Sequence, residues 1–190
     1  MNTVLAAPNS LQSPKGRWPL VLMLSIVLGP MLLAAAMYKW QFWVPESRVY
    51  HGELIGDGHT REDLGVSVDE SRWQLLVTAP TDCASDCQQL VYTARQIQIA
   101  LNRESLRVSH ALASGEPVSG AYLATLNEQY PQLGRHPLAR ERYQAFTENL
   151  APSLWIIDPM GHVVLRYSTE HNGRNILKDL LLLLKLSRIG

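Results

Sequence analysis

Residues 78–90 read TAPTDCASDCQQL and hold both cysteines of this 190-residue chain, Cys83 and Cys87. Residues 71–78 form a short run with an apolar centre, which predicts a strand buried within a sheet. Apolar side chains then recur at helical spacing over residues 87–101, which predicts an amphipathic helix. The cysteines therefore lie where a buried strand passes into a helix. This placement leaves three roles open: a structural clip, a redox couple or a pair of metal ligands.

Composition excludes several classes of protein. The chain has 17 basic and 17 acidic residues and a formal net charge of zero, so it lacks the basic excess of a nucleic-acid-binding protein. We therefore expect no nucleic-acid partner. The length suits one domain. Two cysteines do not make a disulfide-dense scaffold, so the domain must fold mainly on its apolar core.

The N-terminal part predicts a membrane anchor. Residues 18–40 include an uncharged, mainly apolar run with aromatic residues at both ends, and about 20 such residues let a helix cross the bilayer core. The basic residues of the leader, 1–17, predict that the N-terminus is cytoplasmic. Residues 41–48 are then a juxtamembrane linker. Residues 49–190 are a periplasmic domain held at the inner membrane by a single span.

A cleaved signal peptide is the alternative interpretation of the same segment. Ala34, Ala35 and Ala36 provide the small residues that a cleavage site needs. The length of the apolar run and its aromatic flanks favour a retained anchor. Under both interpretations the rest of the chain is exported to a compartment in which disulfides can form.

The exported part alternates strands and helices. The patterns predict a second strand that forms a parallel β-α-β unit with the first, and a later β-hairpin whose turn is Asp158-Pro159-Met160-Gly161. In all, strands are predicted at 49–55, 71–78, 105–112, 153–157 and 162–167, and helices at 87–101, 121–130, 137–148 and 175–188.

The order of these elements resembles the thioredoxin fold, over roughly residues 52–188. The segment Ala151-Pro152-Ser153, followed by apolar strand residues, is similar to the cis-proline loop of that fold. The resemblance implies an α/β fold with a central mixed sheet flanked by helices, preceded here by one transmembrane helix. It also implies a cis bond at Pro152 and a position for Pro152 facing Cys83 and Cys87.

The Cys-x-x-x-Cys spacing, the anchor and the Asp-Pro-x-Gly turn together resemble the Sco/SenC family. That family consists of membrane-anchored, thioredoxin-like, copper-handling factors for cytochrome c oxidase assembly. The resemblance implies Cu(I) as a ligand of Cys83 and Cys87, and an oxidase subunit or other assembly factors as partners. The chain departs from the family pattern in three places. Ala84 and Gln88 follow the cysteines where the family has prolines, and no histidine stands at or near Leu150, where the family has a copper ligand.

The three possible roles of the cysteine pair can be weighed against one another by physical arguments. A clip that closes so short a loop stabilises the fold by only roughly 2 kcal/mol, which makes it a poor staple. A redox couple gains from a helix N-terminus, which favours a thiolate, but Asp82 and Asp86 oppose that charge. A metal pair gains because soft thiolates select Cu(I) over hard cations.

Two histidines are candidates for a third copper ligand. His110 lies near the carboxyl end of the predicted strand 105–112. The carboxyl ends of two parallel strands joined by a crossover lie at the same edge of the sheet, so we expect His110 to lie beside the cysteines that follow the first strand. His136 lies in the polar segment that returns to Pro152. His162 follows the hairpin turn at the far end of the sheet, so we predict a turn residue there.

We expect a membrane-anchored assembly factor for cytochrome c oxidase. Its Cys83–Cys87 pair either performs thiol–disulfide chemistry or binds Cu(I) transiently, and the missing histidine favours the thiol role or a divergent copper role over standard copper delivery. The alternative is a non-catalytic interaction module with a structural disulfide, which docks a membrane partner complex.

Overall fold

The computed structural model describes residues 18–40, 50–56, 58–118, 120–147 and 150–187. The chain divides into two compact units, residues 1–47 and residues 48–190. The predicted leader (1–17) and juxtamembrane linker (41–48) lie outside the described residues.

The first unit contains one helix, α1 (Trp18–Trp40), of 23 residues with Pro30 inside it. Most of its described large apolar side chains are exposed. Among the described residues, no helix combines the length and the hydropathy that a membrane crossing requires.

The second unit is built on one six-stranded mixed sheet of order β1-β6-β5-β2-β3-β4. Strand β2 pairs in parallel with β3 and antiparallel with β5, so it is a central strand, and all seven of its residues are buried. The elements in chain order are β1 (Glu53–Leu54), β2 (Trp73–Ala79), α2 (Ser85–Ala100), β3 (Val108–Ser114), α3 (Gly120–Gln129), β4 (Gly134–Pro137), α4 (Arg140–Phe146), β5 (Ser153–Ile157), β6 (Val163–Tyr167) and α5 (Gly173–Leu186).

The sheet separates two apolar cores. The first face of the sheet, on which Cys87 lies, is covered mainly by buried side chains of α2 and α5, with Leu126 of α3. The second face is covered by the irregular segment that contains Leu64 and Val66, and by Tyr143 of the short helix α4. Alternate residues of β2 point to the two faces, because successive side chains of a strand do so. Trp73, Leu75, Val77 and Ala79 belong to the first core, and Leu76 belongs to the second.

Most predicted elements are confirmed, with two corrections. Residues Asn102–Arg107 form a 3-10 helix, so β3 begins at Val108 and ends at Ser114 instead of covering 105–112. Strand β4 was not predicted: residues 137–148 read as one helix, whereas the chain forms β4 and then the shorter α4. Four residues that include a glycine and a proline carry almost no strand signal of their own. These residues are extended because they pair with β3.

Candidate functional site

The two cysteines stand at the start of α2, as predicted. Strand β2 ends at Ala79 and α2 begins at Ser85, so Cys83 lies in the connecting loop and Cys87 in the first turn of the helix. Their sulfur atoms form a disulfide, and their Cα atoms are 5.1 Å apart. The β2–α2–β3 unit thus holds the pair at the carboxyl end of a central parallel strand, an edge at which α/β folds commonly place reactive groups.

The two sulfur-bearing residues differ in their access to solvent. Cys87 is 0% exposed and packs in the first core, whereas Cys83 is only partly buried at the edge of that core. The side-chain amide Nε2 of Gln88 donates a hydrogen bond of 2.9 Å to the carbonyl oxygen of Cys83, which fixes the loop against the helix. A partner molecule can therefore approach Cys83, while Cys87 is shielded by the protein.

The helix terminus and its acidic neighbours act on this pair in opposite directions. Ala84 is the N-cap of α2 and its side chain makes no capping hydrogen bond, so the first backbone N–H groups of α2 lack a side-chain acceptor there. These groups and the helix dipole favour negative charge on a nearby sulfur. Asp82 and Asp86 disfavour it, but both are exposed and their effect is screened by water and salt.

Pro152 lies at the same end of the sheet as the disulfide. Thr78 in β2 pairs with Ser153 in β5, so the residue before Ser153 is placed beside the end of β2. The predicted cis bond is wrong: the Ala151–Pro152 bond is trans. The trans form is the favoured one for an X-Pro bond, and here the chain enters β5 directly after the proline.

The prediction that His110 lies beside the cysteines is also wrong. Since β3 runs from Val108 to Ser114, His110 pairs with Leu75 in the first half of the strand, and Ser114 pairs with Ala79 at the cysteine end. The four residue-to-residue steps from His110 to Ser114 span about 13 Å in a strand. His110 is 3% exposed, and neither of its ring nitrogens has a hydrogen-bond partner among the described residues. Burial, followed by the charge of Arg95, lowers the pKa of His110 to about 4, so the ring is neutral.

His136 is not brought to the disulfide either. It pairs with Ala113, a member of the second core, and so lies on the face of the sheet opposite Cys87. Burial is the main cause that lowers the pKa of His136. His162 accompanies Asp158 in the hairpin turn, with 3.1 Å between Nδ1 and the carboxylate, as predicted for a turn residue.

The residues around the disulfide fit a complete copper site poorly. Within the described part of the chain, no group of three or more histidine, cysteine, aspartate or glutamate side chains is arranged to hold a metal ion. The soft donors of this site are the two sulfur atoms, which become thiolates after reduction. Two thiolates can hold Cu(I) in a linear arrangement, which suits transient cargo better than a resident ion.

A buried polar network close to the site was missed. Thr78, one residue before the end of β2, accepts a hydrogen bond of 2.9 Å from the indole N–H of Trp155, and its hydroxyl lies 3.0 Å from that of Tyr143. The network joins β2, β5 and α4. It therefore holds α4, which precedes Pro152 in the chain, against β2, which precedes Cys83. The sequence signal was Trp155 itself, because a buried indole N–H usually requires an acceptor.

Structural comparison finds Sco proteins among similar solved structures. Arabidopsis thaliana ScoI with copper bound matches with a TM-score of 0.50 and 12% identity, covering 63% of this chain and 88% of that one. Yeast Sco1 matches with a TM-score of 0.50 and 8% identity, covering 64% and 84%. At these identities the likeness is one of fold, and it confirms the thioredoxin-like architecture. A sequence search among proteins of curated function finds no match.

Two family models match the sequence. The model described as transmembrane-like, N-terminal domain, matches residues 12–41, which contain α1. The model described as transmembrane-like, thioredoxin-like, C-terminal domain, matches residues 73–187, from the first residue of β2 to the residue that follows α5, and so covers more than half of the chain. The chain therefore belongs to the transmembrane-like, thioredoxin-like family.

Proposed function

We propose that this chain is a membrane-anchored assembly factor for cytochrome c oxidase that performs thiol–disulfide exchange at Cys83 and Cys87. One observation carries the chemical part of the proposal. The disulfide joins a partly exposed cysteine, Cys83, to a fully buried one, Cys87, at the first turn of α2. Such a pair has one sulfur that a partner can reach and a second that acts only within the protein.

The proposed reaction reduces a disulfide of the partner. The Cys83 thiolate attacks one partner sulfur and forms a mixed disulfide, and the other partner sulfur leaves as a thiolate. The Cys87 thiolate then attacks the Cys83 sulfur, which releases the second partner thiolate and forms the disulfide present in the structure. Two electrons pass to the partner, and a dithiol reductant of the same compartment restores the protein.

Three observations support the partner and the location. The fold is similar to that of two Sco proteins, and the resemblance of the sequence to the Sco/SenC family implies a role in oxidase assembly. The N-terminal family model is described as transmembrane-like. The sequence of residues 18–40 also includes an uncharged, mainly apolar run with aromatic residues at both ends, which is typical of a membrane anchor. We place the thioredoxin-like domain in the periplasm, where the copper-site cysteines of the oxidase would be its substrate.

Transient binding of Cu(I) is a second candidate function. It is favoured by the similarity in fold to a ScoI structure with copper bound. In the reduced protein, the Cys83 and Cys87 thiolates are the soft donors that Cu(I) requires. The absence of a third ligand near them, within the described residues, makes us rank copper transfer below thiol exchange.

The full-length chain can be tested by equilibrating it with defined thiol–disulfide buffers and measuring the oxidised fraction by alkylation. We expect a midpoint potential between about −180 and −270 mV, the range of thiol-exchange proteins. Cu(I) titration of the reduced chain, with Cys83→Ser as the matched variant, tests the second candidate. A potential below about −300 mV together with no copper uptake would show a structural disulfide. The chain would then be a non-catalytic interaction module.

A further inference from the structure

An apolar groove of about 300 Å³ opens near the disulfide loop. Its apolar walls are Leu112 at the end of β3, Pro117 and Val118 in the loop after β3, Leu123 in α3 and Pro137 in β4. Ligand pockets for small molecules begin at about this volume, so the groove suits one or two side chains better than a cofactor.

The groove and the partly exposed Cys83 lie at the same end of the sheet. Leu112 and Val118 of the groove belong to the first core, and His136 lines the groove at the edge strand β4. The amide of Gly115 donates a 2.8 Å hydrogen bond to the carbonyl of Ala79, so the loop that lines the groove is joined to the start of the cysteine loop. A side chain at Gly115 would collide with the backbone of Pro80, which shows how closely the two loops pack. Cys83 and Val118 both pack against the first core. A polypeptide that reaches Cys83 from this side therefore passes over the groove.

The surroundings of Cys83 carry negative charge. Asp82 and Asp86 flank the disulfide, both are exposed, and neither forms an ion pair with another described residue. Arg135, at the border of the groove, is already engaged with Asn127 at 2.8 Å. A positively charged residue beside the partner's cysteine would complement the two carboxylates.

We propose that the groove binds an apolar side chain of the extended partner segment that carries the reacting cysteine, and that Asp82 and Asp86 attract a basic residue next to that cysteine. This inference rests on the proposed thiol exchange and names its substrate class. Strands β2 and β4 are two strand spacings apart, or about 10 Å, which an extended chain covers in about three residues. The partner's apolar residue therefore lies about three positions from its cysteine.

The test uses the full-length chain with Cys87→Ser, which leaves Cys83 as the one thiol. The probes are short glycine-based peptides whose cysteine is coupled to the coloured thiol thionitrobenzoate. The Cys83 thiolate attacks the peptide sulfur, a mixed disulfide forms, and thionitrobenzoate leaves as a coloured thiolate. One pair of peptides carries leucine three residues before or after a lysine-flanked cysteine. The control peptides replace leucine with glycine, or lysine with glutamate.

We expect one of the leucine peptides to react about tenfold faster than its glycine control. Pro117→Asp, which adds a charge at an exposed wall of the groove, should abolish that preference, and Leu123→Asp should do the same. Leu106→Asp changes an exposed residue outside the groove, so the preference should remain. Asp82→Asn with Asp86→Asn should remove a severalfold preference for lysine over glutamate.

A separate reagent distinguishes failure of this inference from failure of the proposed function. The disulfide of two thionitrobenzoates has no peptide, so its reaction with Cys83 reports the reactivity of the sulfur alone. If that reagent reacts but leucine gives no acceleration, or Pro117→Asp leaves the acceleration intact, the groove is not the binding site. If Cys83 fails to react with the reagent and with every peptide, the proposed thiol exchange itself is overturned.

Discussion

The two faces of the sheet treat buried polar groups differently. On the second face, Thr78, Tyr143 and Trp155 satisfy one another, and the buried guanidinium of Arg61 donates to the side chain of Gln74 at 3.0 Å. On the first face, three side chains carry buried polar atoms that have no hydrogen-bond partner among the described residues. These are Trp73, His110 and Tyr122.

The covering elements explain the difference. The first face is covered mainly by helices, whose backbone groups are used within each helix and whose inward side chains are mostly apolar. The polar exception is the buried carboxylate of Asp179 in α5, which accepts a 2.8 Å hydrogen bond from the hydroxyl of Tyr167. The second face is covered partly by irregular chain, whose backbone carbonyl groups are not all used in regular secondary structure. The carbonyl of Glu70, for example, accepts a hydrogen bond from the guanidinium of Arg61. Helical cover therefore supplies mainly apolar contact and few acceptors, of which the carboxylate of Asp179 is one. The irregular chain on the second face supplies hydrogen-bond acceptors, but it packs less regularly than a helix.

Thr78→Val should produce the largest change, because it breaks the satisfied network of the second face. The valine has nearly the same shape, but it leaves the indole N–H of Trp155 and the hydroxyl of Tyr143 buried without Thr78 as partner. Each such group costs about 1–3 kcal/mol, so we expect a loss of about 4 kcal/mol in the free energy of unfolding. Urea unfolding of residues 48–190, a compact unit with its own cores, measures it.

The matched control is Thr93→Val in α2. The Thr93 hydroxyl donates to the carbonyl of Gln89 one turn earlier at an exposed position, so its loss should change stability by less than about 0.5 kcal/mol. Equal losses of unfolding free energy from the two substitutions would show that the buried Thr78 network stabilises the protein no more than an exposed hydrogen bond does.

His110→Leu should have the next largest effect, and it should depend on pH. Burial lowers the pKa of His110 to about 4 in the folded chain, from an ordinary 6.5. Below about pH 6.5 the unfolded chain binds a proton that the folded chain does not, so stability falls as the pH drops toward 4. At about pH 5 this difference costs the wild-type protein about 2 kcal/mol relative to neutral pH. The leucine variant should lack this part of the acid destabilisation.

The measurement is a set of urea unfolding curves for both proteins between about pH 7.5 and pH 5. Titration of the remaining groups is common to both, so the difference between the proteins isolates His110. We also expect the variant to be more stable by about 1 kcal/mol at neutral pH, because two unpartnered ring nitrogens are removed. Parallel pH profiles for the two proteins would contradict the assignment of His110 as a buried, neutral side chain.

The strands and helices with strong periodicity could be predicted from the sequence. Strand β2, helix α2 and the β5–β6 hairpin have continuous or regularly spaced apolar residues and clear turn signals, and they form close to the predicted positions. Strand β4 could not be predicted, because it is extended only through its pairing with β3. The start of β3 was placed too early because Ser105–Arg107 read as extended chain, whereas these residues close a 3-10 helix.

The late start of β3, at Val108 instead of Ser105, explains which part of the site could be predicted. The cysteines were placed correctly because the strand before them and the helix after them each have a strong pattern of their own. The distance from His110 to the cysteines depended on where β3 begins, so an error of three residues removed a candidate ligand from the site. The state of the Ala151–Pro152 bond depends on contacts that are distant in sequence, and the resemblance implied the wrong isomer.

Tyr122→Phe and Tyr143→Phe form the pair with the smallest expected effects, and these should differ in sign. The hydroxyl of Tyr122, on the first face, is buried without a partner, and burial raises its pKa to about 12. Removing it should stabilise the protein by about 1 kcal/mol, since an unmet hydroxyl carries a desolvation cost. The hydroxyl of Tyr143 is paired with Thr78, so its removal should destabilise the protein by about 1 kcal/mol. Urea unfolding of both variants tests this, and two changes of the same sign would contradict the contrast between the faces.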